Sequence, residues 1–218
     1  MEQEKLDEFL KIEKRPVMNC KWNESDRTHI FALSRLDRYM TGHKGFIAGG
    51  CFKDLLMGRH IKDVDVFFES KEDYETSVEM LKVDRNYTES YKSKNVQAFT
   101  HNDGTVIECV KSVFGTPVEV IRKFDFTITK FAYWKDEGDG VVEYKALFHP
   151  QFFEHLMLKK MVIDDAILFP MSTFNRTYKY AKYGFTPCTE TKVKLAKAIS
   201  KLQEDEITVP ENMYDGVD

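Results

Sequence analysis

Phe46 to Phe68, FIAGGCFKDLLMGRHIKDVDVFF, decides the reading of this chain. An apolar run, Phe46-Ile47-Ala48, meets the pair Gly49-Gly50. Phe52, Leu55 and Leu56 follow at i, i+3 and i+4 and stop at Gly58. Asp63 and Asp65 then alternate with Val64 and Val66. The pattern predicts a strand, a tight turn, a short helix, a second turn and a second strand. Successive strand side chains face opposite ways. Asp63, Asp65 and Phe67 therefore share one face, and Val64, Val66 and Phe68 form an apolar face suited to helices.

Two neighbouring carboxylates repel each other and add nothing to stability. A bound cation removes the repulsion. Mg2+ (or Mn2+) takes oxygen ligands, one or two of them carboxylates, and is completed by phosphate oxygens and water. Two such ions about 3.5–4 Å apart activate an attacking hydroxyl and stabilise a leaving oxygen. The glycine pair lets the backbone approach a ligand closely, and the helix after it offers N–H groups to an anion. Taken singly, a Gly-Gly is ordinarily a turn and an Asp-x-Asp a solvated face. Their combination at this spacing points to a nucleoside triphosphate and a divalent metal.

These residues resemble the signature of the polymerase-β-like nucleotidyltransferase superfamily, in the branch of class II tRNA nucleotidyltransferases and bacterial poly(A) polymerases. That branch carries Gly-Gly-x-x-Arg-Asp, Leu-Leu-x-Gly-Arg and Asp-x-Asp. Here the matching residues are Gly49-Gly50-Cys51-Phe52-Lys53-Asp54, Leu55-Leu56-Met57-Gly58-Arg59 and Asp63-Val64-Asp65. Lys53 keeps the charge of the family arginine without its fork. A second family element, Arg-Arg-Asp-Phe-Thr-Ile-Asn-Ala, is similar to Lys123-Phe124-Asp125-Phe126-Thr127-Ile128-Thr129-Lys130, with Phe124 and Thr129 as departures. Gly115 to Thr127, GTPVEVIRKFDFT, also resembles small phage nucleotidyltransferases. Phe174 to Phe185 is similar to the neck helix of the same enzymes.

The resemblance implies an α+β fold: a nucleotidyltransferase palm, a mixed sheet flanked by helices, with a small C-terminal helical neck. The expected divisions are a head at 1–148, a neck-like region at 149–204 and an acidic tail at 205–218. It implies transfer of a nucleoside monophosphate from an NTP to a hydroxyl, foremost an RNA 3′ end, with release of pyrophosphate. Asp63, Asp65 and Asp125 take the catalytic and metal-binding positions. Gly49, Gly50, Lys53, Arg59, Arg122 and Lys123 line the triphosphate. Arg176 and Lys179, on one helical face with Tyr183, suit a nucleotide base or an RNA end. No Glu-Asp-x-x-Arg template follows the neck, and the family's body and tail domains would begin where this sequence stops. The resemblance thus implies nucleotidyl transfer without implying CCA addition. Two other readings stand beside the RNA one: nucleotidylation of a protein or small molecule, and a catalytically silent nucleotide- or RNA-binding module.

Composition sets the outer bounds. A net charge of −4 over 218 residues argues against non-specific coating of nucleic acid, though not against a local basic patch. No run of 18 apolar residues exists, and MEQEKLDEFLKIEKR has no signal-peptide core, so neither a membrane span nor export is expected. Cys20, Cys51, Cys109 and Cys188 are widely spaced, which suits free thiols of a reducing cytoplasm. The oligomeric state is not encoded in any pattern.

Local signals fill in the frame. Leu6, Phe9 and Leu10 suggest a first helix, and Ser25 a cap for a second that buries Ile30, Leu33, Leu36 and Met40. Ser70 is expected to cap a helix burying Tyr74, Val78 and Leu81. Asn95–Thr100 and Thr105–Val110 read as a hairpin, and Thr116-Pro117 as a cap and first helical residue. Asp125–Tyr133 reads as a strand, Asp136–Gly140 as a turn and Val141–Tyr144 as an edge strand. Pro170 and Ser172 open the neck-like helix, and Thr189–Leu202 forms a lysine-rich amphipathic one.

Overall fold

The computed structural model describes residues 22–26, 30–136, 142–164 and 167–203. The first helix expected around Leu6, the turn at 137–140 and the acidic tail lie outside the described residues. The strands are β1 (Asn23–Asp26), β2 (Phe46–Ala48), β3 (Asp63–Phe68), β4 (Tyr87–Lys92), β5 (Val96–His101), β6 (Val106–Phe114), β7 (Phe131–Asp136), β8 (Glu143–Phe148), β9 (Lys160–Met161) and β10 (Thr186–Pro187). The α-helices are α1 (Cys51–Leu56), α2 (Lys71–Val83), α3 (Pro117–Arg122), α4 (Phe152–Met157), α5 (Pro170–Ala181) and α6 (Thr189–Ile199). Two 3-10 helices, Phe31–Tyr39 and Thr127–Thr129, complete the set.

Eight strands form one sheet in the order β1-β8-β7-β2-β3-β6-β5-β4. Every neighbouring pair is antiparallel except β3 with β6. The sheet is mixed and flanked by helices, the α+β class expected from the sequence. Its larger core holds Ile47, Val64, Val66 and Phe68 with Tyr74, Val78 and Leu81 of α2. Phe46, Phe67, Val110, Val120 and Ile121 pack on the opposite face, under α3. The alternation read from Asp63 to Phe68 is therefore the observed one.

Local chemistry explains where several elements begin. Ser70 Oγ accepts a hydrogen bond from Asp73 N at the start of α2. Thr116 and Glu119 form a capping box at the start of α3, with Pro117 at its first position. Gly49 has φ +104°, and a Cβ there would stand 3.4 Å from an Asp65 carboxylate oxygen, so only glycine suits the turn.

Other expectations are corrected. Ser25 lies in β1, not at a helix N-terminus, and the helix after it is the 3-10 segment Phe31–Tyr39, which buries Leu33 and Leu36. Asp125 to Thr129 is not strand. Thr129 Oγ1 donates to Phe126 O at 2.8 Å, a local bond that favours a turn over a ladder, and β7 begins only at Phe131. β8 is not an edge, because β1 covers it. The polar segment Tyr87–Lys92, assigned no structure from its sequence, is edge strand β4.

Residues after 148 join the same core as the sheet. Phe152, Leu156, Met161, Ile163, Tyr180 and Phe185 cluster with Val64 and Phe131. The fully buried Lys130 donates to Asp164 Oδ1 at 2.7 Å, and His149 Nε2 lies 2.9 Å from Asp164 Oδ2. Among the described residues, no helix is long and apolar enough to cross a membrane.

His43 gives the fold a pH dependence. Its Nε2 lies 2.5 Å from Tyr39 O, and its Nδ1 accepts from Gly45 N at 3.1 Å. These partners call for the neutral ring, since a proton on Nδ1 would face the Gly45 N–H. Burial lowers the pKa to about 4, against the smaller upward pull of the Tyr39 carbonyl. The folded pKa lies below the unfolded one, so this stability is complete above about pH 6.5 and is lost as pH falls toward 4. Urea unfolding is expected to show a loss of about 2 kcal/mol across that interval. His43→Gln should flatten this segment of the profile, and an unchanged slope would contradict the assignment.

Candidate active site

The site is built on the one parallel pairing of the sheet. β3 and β6 run side by side with Asp65 opposite Glu108. Asp65 and Asp63 point to the same face of β3, and Glu108 points to that face of β6. Desolvation pushes the Asp65 carboxyl well above the usual carboxylate range, and the charges of Glu108 and Asp63 raise it further. The buried Cys51 thiol, first residue of α1, is also pushed up, by burial and then by Asp65, Asp63 and Asp54. The turn at Gly49 and Gly50 thus abuts the carboxylates.

Among the described residues, no group of three or more His, Cys, Asp and Glu side chains is arranged to hold a metal ion. The donor chemistry nonetheless fits a hard divalent cation. Such an ion needs only one or two carboxylates from the protein, and it would relieve the like-charge crowding around Asp65.

Asp125, the third carboxylate expected from sequence, is engaged by protein partners. It is 8% exposed, accepts from Arg176 Nε at 2.8 Å and accepts from Phe126 N at 2.8 Å. Glu108, which carried no motif in the sequence, stands next to Asp65. Its signal was the pairing of its strand with β3, which is not a local property.

The expected phosphate-binding cations fall into two groups. Lys53 is 2% exposed, donates to Asp54 Oδ1 at 2.5 Å and lies 4.8 Å from the Tyr183 ring centre and 5.6 Å from that of Tyr180. Burial lowers its pKa, against the upward pull of Asp54. Arg59 lies 4.8 Å from the same Tyr183 ring centre and donates to the Tyr183 carbonyl at 3.1 Å. With Arg176 on Asp125, these cations fasten α5 and its C-terminal turn to the head. The face that joins Arg176, Lys179 and Tyr183 is therefore turned inward. The others are more available. Lys179 is half-buried and acts electrostatically on both Asp65 and Lys53. Arg122 and Lys123 are exposed at the end of α3. Phe124, at the position of a family arginine, packs on Phe67 with ring centres 5.7 Å apart and lies close to Gly49.

Two predictions follow from this arrangement. The raised Asp65 pKa means that its ionised form disfavours folding at neutral pH, a cost that disappears as pH falls toward 4. Asp65→Asn is expected to raise the urea midpoint at pH 7 in chelator, with the gain shrinking in acid. A destabilised variant would contradict the crowding argument. Arg176→Met leaves buried Asp125 without its cation and should cost about 2–3 kcal/mol in the same assay.

The chain was compared with known proteins. No curated protein gives a significant match. Among solved structures, a CCA-adding enzyme with ATP matches at a TM-score of 0.64 and 15% identity, over 84% of this chain and 49% of that one. A CCA-adding enzyme with CTP matches at 0.61 and 16%, over 84% and 48%. The Thermotoga maritima CCA-adding enzyme complexed with tRNA matches at 0.56 and 15%, over 81% and 46%. The chain thus spans about half the length of these structures, and at such identities the likeness establishes the fold alone. A sequence family described as Gabija anti-defense 2 family protein (Gad2) matches residues 4–159, and with that match over more than half its length the chain belongs to the Gabija anti-defense 2 family.

Proposed function

We propose that this chain is a metal-dependent nucleotidyltransferase, transferring a nucleoside monophosphate from an NTP to a hydroxyl acceptor and releasing pyrophosphate. The observation that carries the reading is the desolvated Asp65 held between Asp63 and Glu108 beside the Gly49-Gly50 turn. Such crowding costs stability and finds its use when a cation binds.

In this reading Asp63 and Asp65 would hold Mg2+ or Mn2+, two carboxylates being as many as such an ion needs from the protein, and Glu108 stands beside Asp65. The ion, when bound, supplies electrostatic stabilisation of the charge that develops on the transferred phosphoryl group. Lys179 meets the triphosphate from α5, and Arg122 and Lys123 approach it from α3. Gly49 and Gly50 keep the turn free of side chains where the phosphates lie. Lys53, Arg59 and the Asp125–Arg176 pair act indirectly, by fixing α5 and hence Lys179.

An RNA 3′ end is the first acceptor to test. The outer surface of α5 offers Tyr178, 62% exposed and set edge-on to Phe174 with ring centres 5.2 Å apart, as a stacking platform. A second reading takes its support from the family: its description as anti-defense points to a macromolecule of the Gabija defence as the acceptor.

Labelling separates the readings. Each of four α-labelled NTPs is incubated with Mg2+ or Mn2+, the protein, and either cellular RNA or purified Gabija components. Label is expected in a macromolecule with the intact protein and at least a hundredfold less with Asp63→Ala/Asp65→Ala. Label in RNA supports the first acceptor, and label in a Gabija component the second. Tight NTP binding with no transfer to either would support the silent module and overturn the proposal.

A further inference from the structure

One hydroxyl on the carboxylate face owes its place to an irregularity of the sheet. β4 pairs with β5 so that Glu89 faces Phe99, but the next paired residue is Tyr91, facing Ala98. Ser90 is the extra residue of a β-bulge. In a regular strand Glu89 and Tyr91 would point the same way, and the bulge turns them apart. Glu89 stays on the α2 face, where it accepts from Gln97 Nε2 at 3.0 Å. Tyr91 crosses to the face of Asp65.

Four strands then contribute one residue each to a row: Asp65 on β3, Glu108 on β6, Ala98 on β5 and Tyr91 on β4. Ala98 is the small member of the row, and across it the Tyr91 hydroxyl donates to Glu108 Oε1. Desolvation, and then the bond to Glu108 and the charges of Glu108, Asp63 and Asp65, raise the pKa of the phenol. The hydroxyl therefore keeps its proton at neutral pH and stands within electrostatic reach of Asp63 and Asp65. Thr100, two residues beyond Ala98, faces the same side, but its hydroxyl is bonded to that of Ser90. Tyr91 is 41% exposed and belongs to neither core cluster, so packing does not account for its position.

We propose that Tyr91 is itself a nucleotide acceptor: the chain transfers a nucleoside monophosphate to its own Tyr91 hydroxyl. The inference rests on the reading that the site at Asp63 and Asp65 transfers such groups from an NTP. An acceptor hydroxyl has to lie beside those carboxylates, with a base in hydrogen-bond reach of its proton. Tyr91 meets both conditions through Glu108, and its exposure leaves a side open to the donor. In the step, the phenol oxygen bonds to the α-phosphorus as the bond from that phosphorus to the α–β bridging oxygen breaks. Pyrophosphate leaves, and the phenol proton passes to the Glu108 carboxylate. The product is a phosphodiester between Tyr91 and the nucleoside. An acceptor fixed in the same chain needs no encounter with a second molecule.

The test incubates the full chain with each NTP and Mg2+ or Mn2+, alone and with RNA or Gabija components, and maps adducts by mass spectrometry of its peptides. One adduct per chain is expected, on Tyr91, adding a nucleoside monophosphate less one water. Its rate should not change with protein concentration. Tyr91→Phe should carry none at an unchanged urea midpoint, and Glu108→Gln should form it about a hundredfold more slowly. Asp63→Ala/Asp65→Ala should form none. Transfer to RNA or to a Gabija component with Tyr91 unmodified would overturn the inference and leave the reading of the site intact. An adduct on Ser90, Thr100 or another residue in place of Tyr91, or a rate that rises with protein concentration, would overturn it too. NTP binding with neither adduct nor transfer would remove that reading, and this inference with it.

Discussion

The parallel pairing of β3 with β6 is the constraint on which the site depends. An all-antiparallel meander could place Asp63 and Asp65 on one face, but it would not bring Glu108 alongside Asp65 in this register. A parallel neighbour needs a crossover, and here the chain between β3 and β6 supplies α2 and the strands β4 and β5. The crossover therefore does three things at once. It covers one face of the sheet with Tyr74, Val78 and Leu81, it juxtaposes two carboxylates, and it builds the edge from which Tyr91 reaches Glu108. Both faces contribute apolar packing, and the face of Phe67 and Val110 also bears the electrostatic cost of Asp65.

The cations around this site are divided between structure and chemistry. A surface lysine or arginine contributes little to stability, but Lys53, Arg59 and Arg176 are not ordinary surface cations. Two lie against the Tyr183 ring and the third closes on buried Asp125. Cation–π contacts in a partly desolvated setting are worth about 2 kcal/mol, and the buried ion pair resists separation because a lone Asp125 would be uncompensated. The helix they fasten is the one that carries Lys179 toward Asp65. Motif residues that look like phosphate ligands in sequence thus serve first as the fixings of α5.

Much of this was legible in the sequence because it is local. The Gly49-Gly50 turn, the alternation from Asp63 to Phe68, the Ser70 cap and the Thr116–Glu119 box each depend on residues within a few positions of one another. What escaped depends on pairing or on competition between local and ladder bonds. β4 is polar because it is an edge, so it shows no apolar alternation. Asp125 to Thr129 alternates like a strand, yet the Thr129 hydroxyl bonds back to Phe126 O and the backbone turns instead. Glu108 and Tyr91 gave no signal at all. One is placed by a parallel register and the other by a bulge, and neither is written in the spacing of residue types.

Membership in an anti-defense family and a palm shared with CCA-adding enzymes bear on different levels of the argument. A fold constrains where chemistry can sit without dictating which chemistry it is. Here the energetics of the site narrow the choice. A palm kept only as a scaffold for binding a partner would be more stable with Asp65 replaced by a neutral or apolar residue, since its desolvation and its like-charged neighbours oppose folding. Buried like charges without a counterion are a cost that single substitutions readily remove. Like charges beside a glycine turn, with Lys179 acting electrostatically on Asp65, fit the cation-dependent site proposed above. The family description and the proposed transfer chemistry therefore bear on different questions, the first on where a target is to be sought and the second on the reaction to test there.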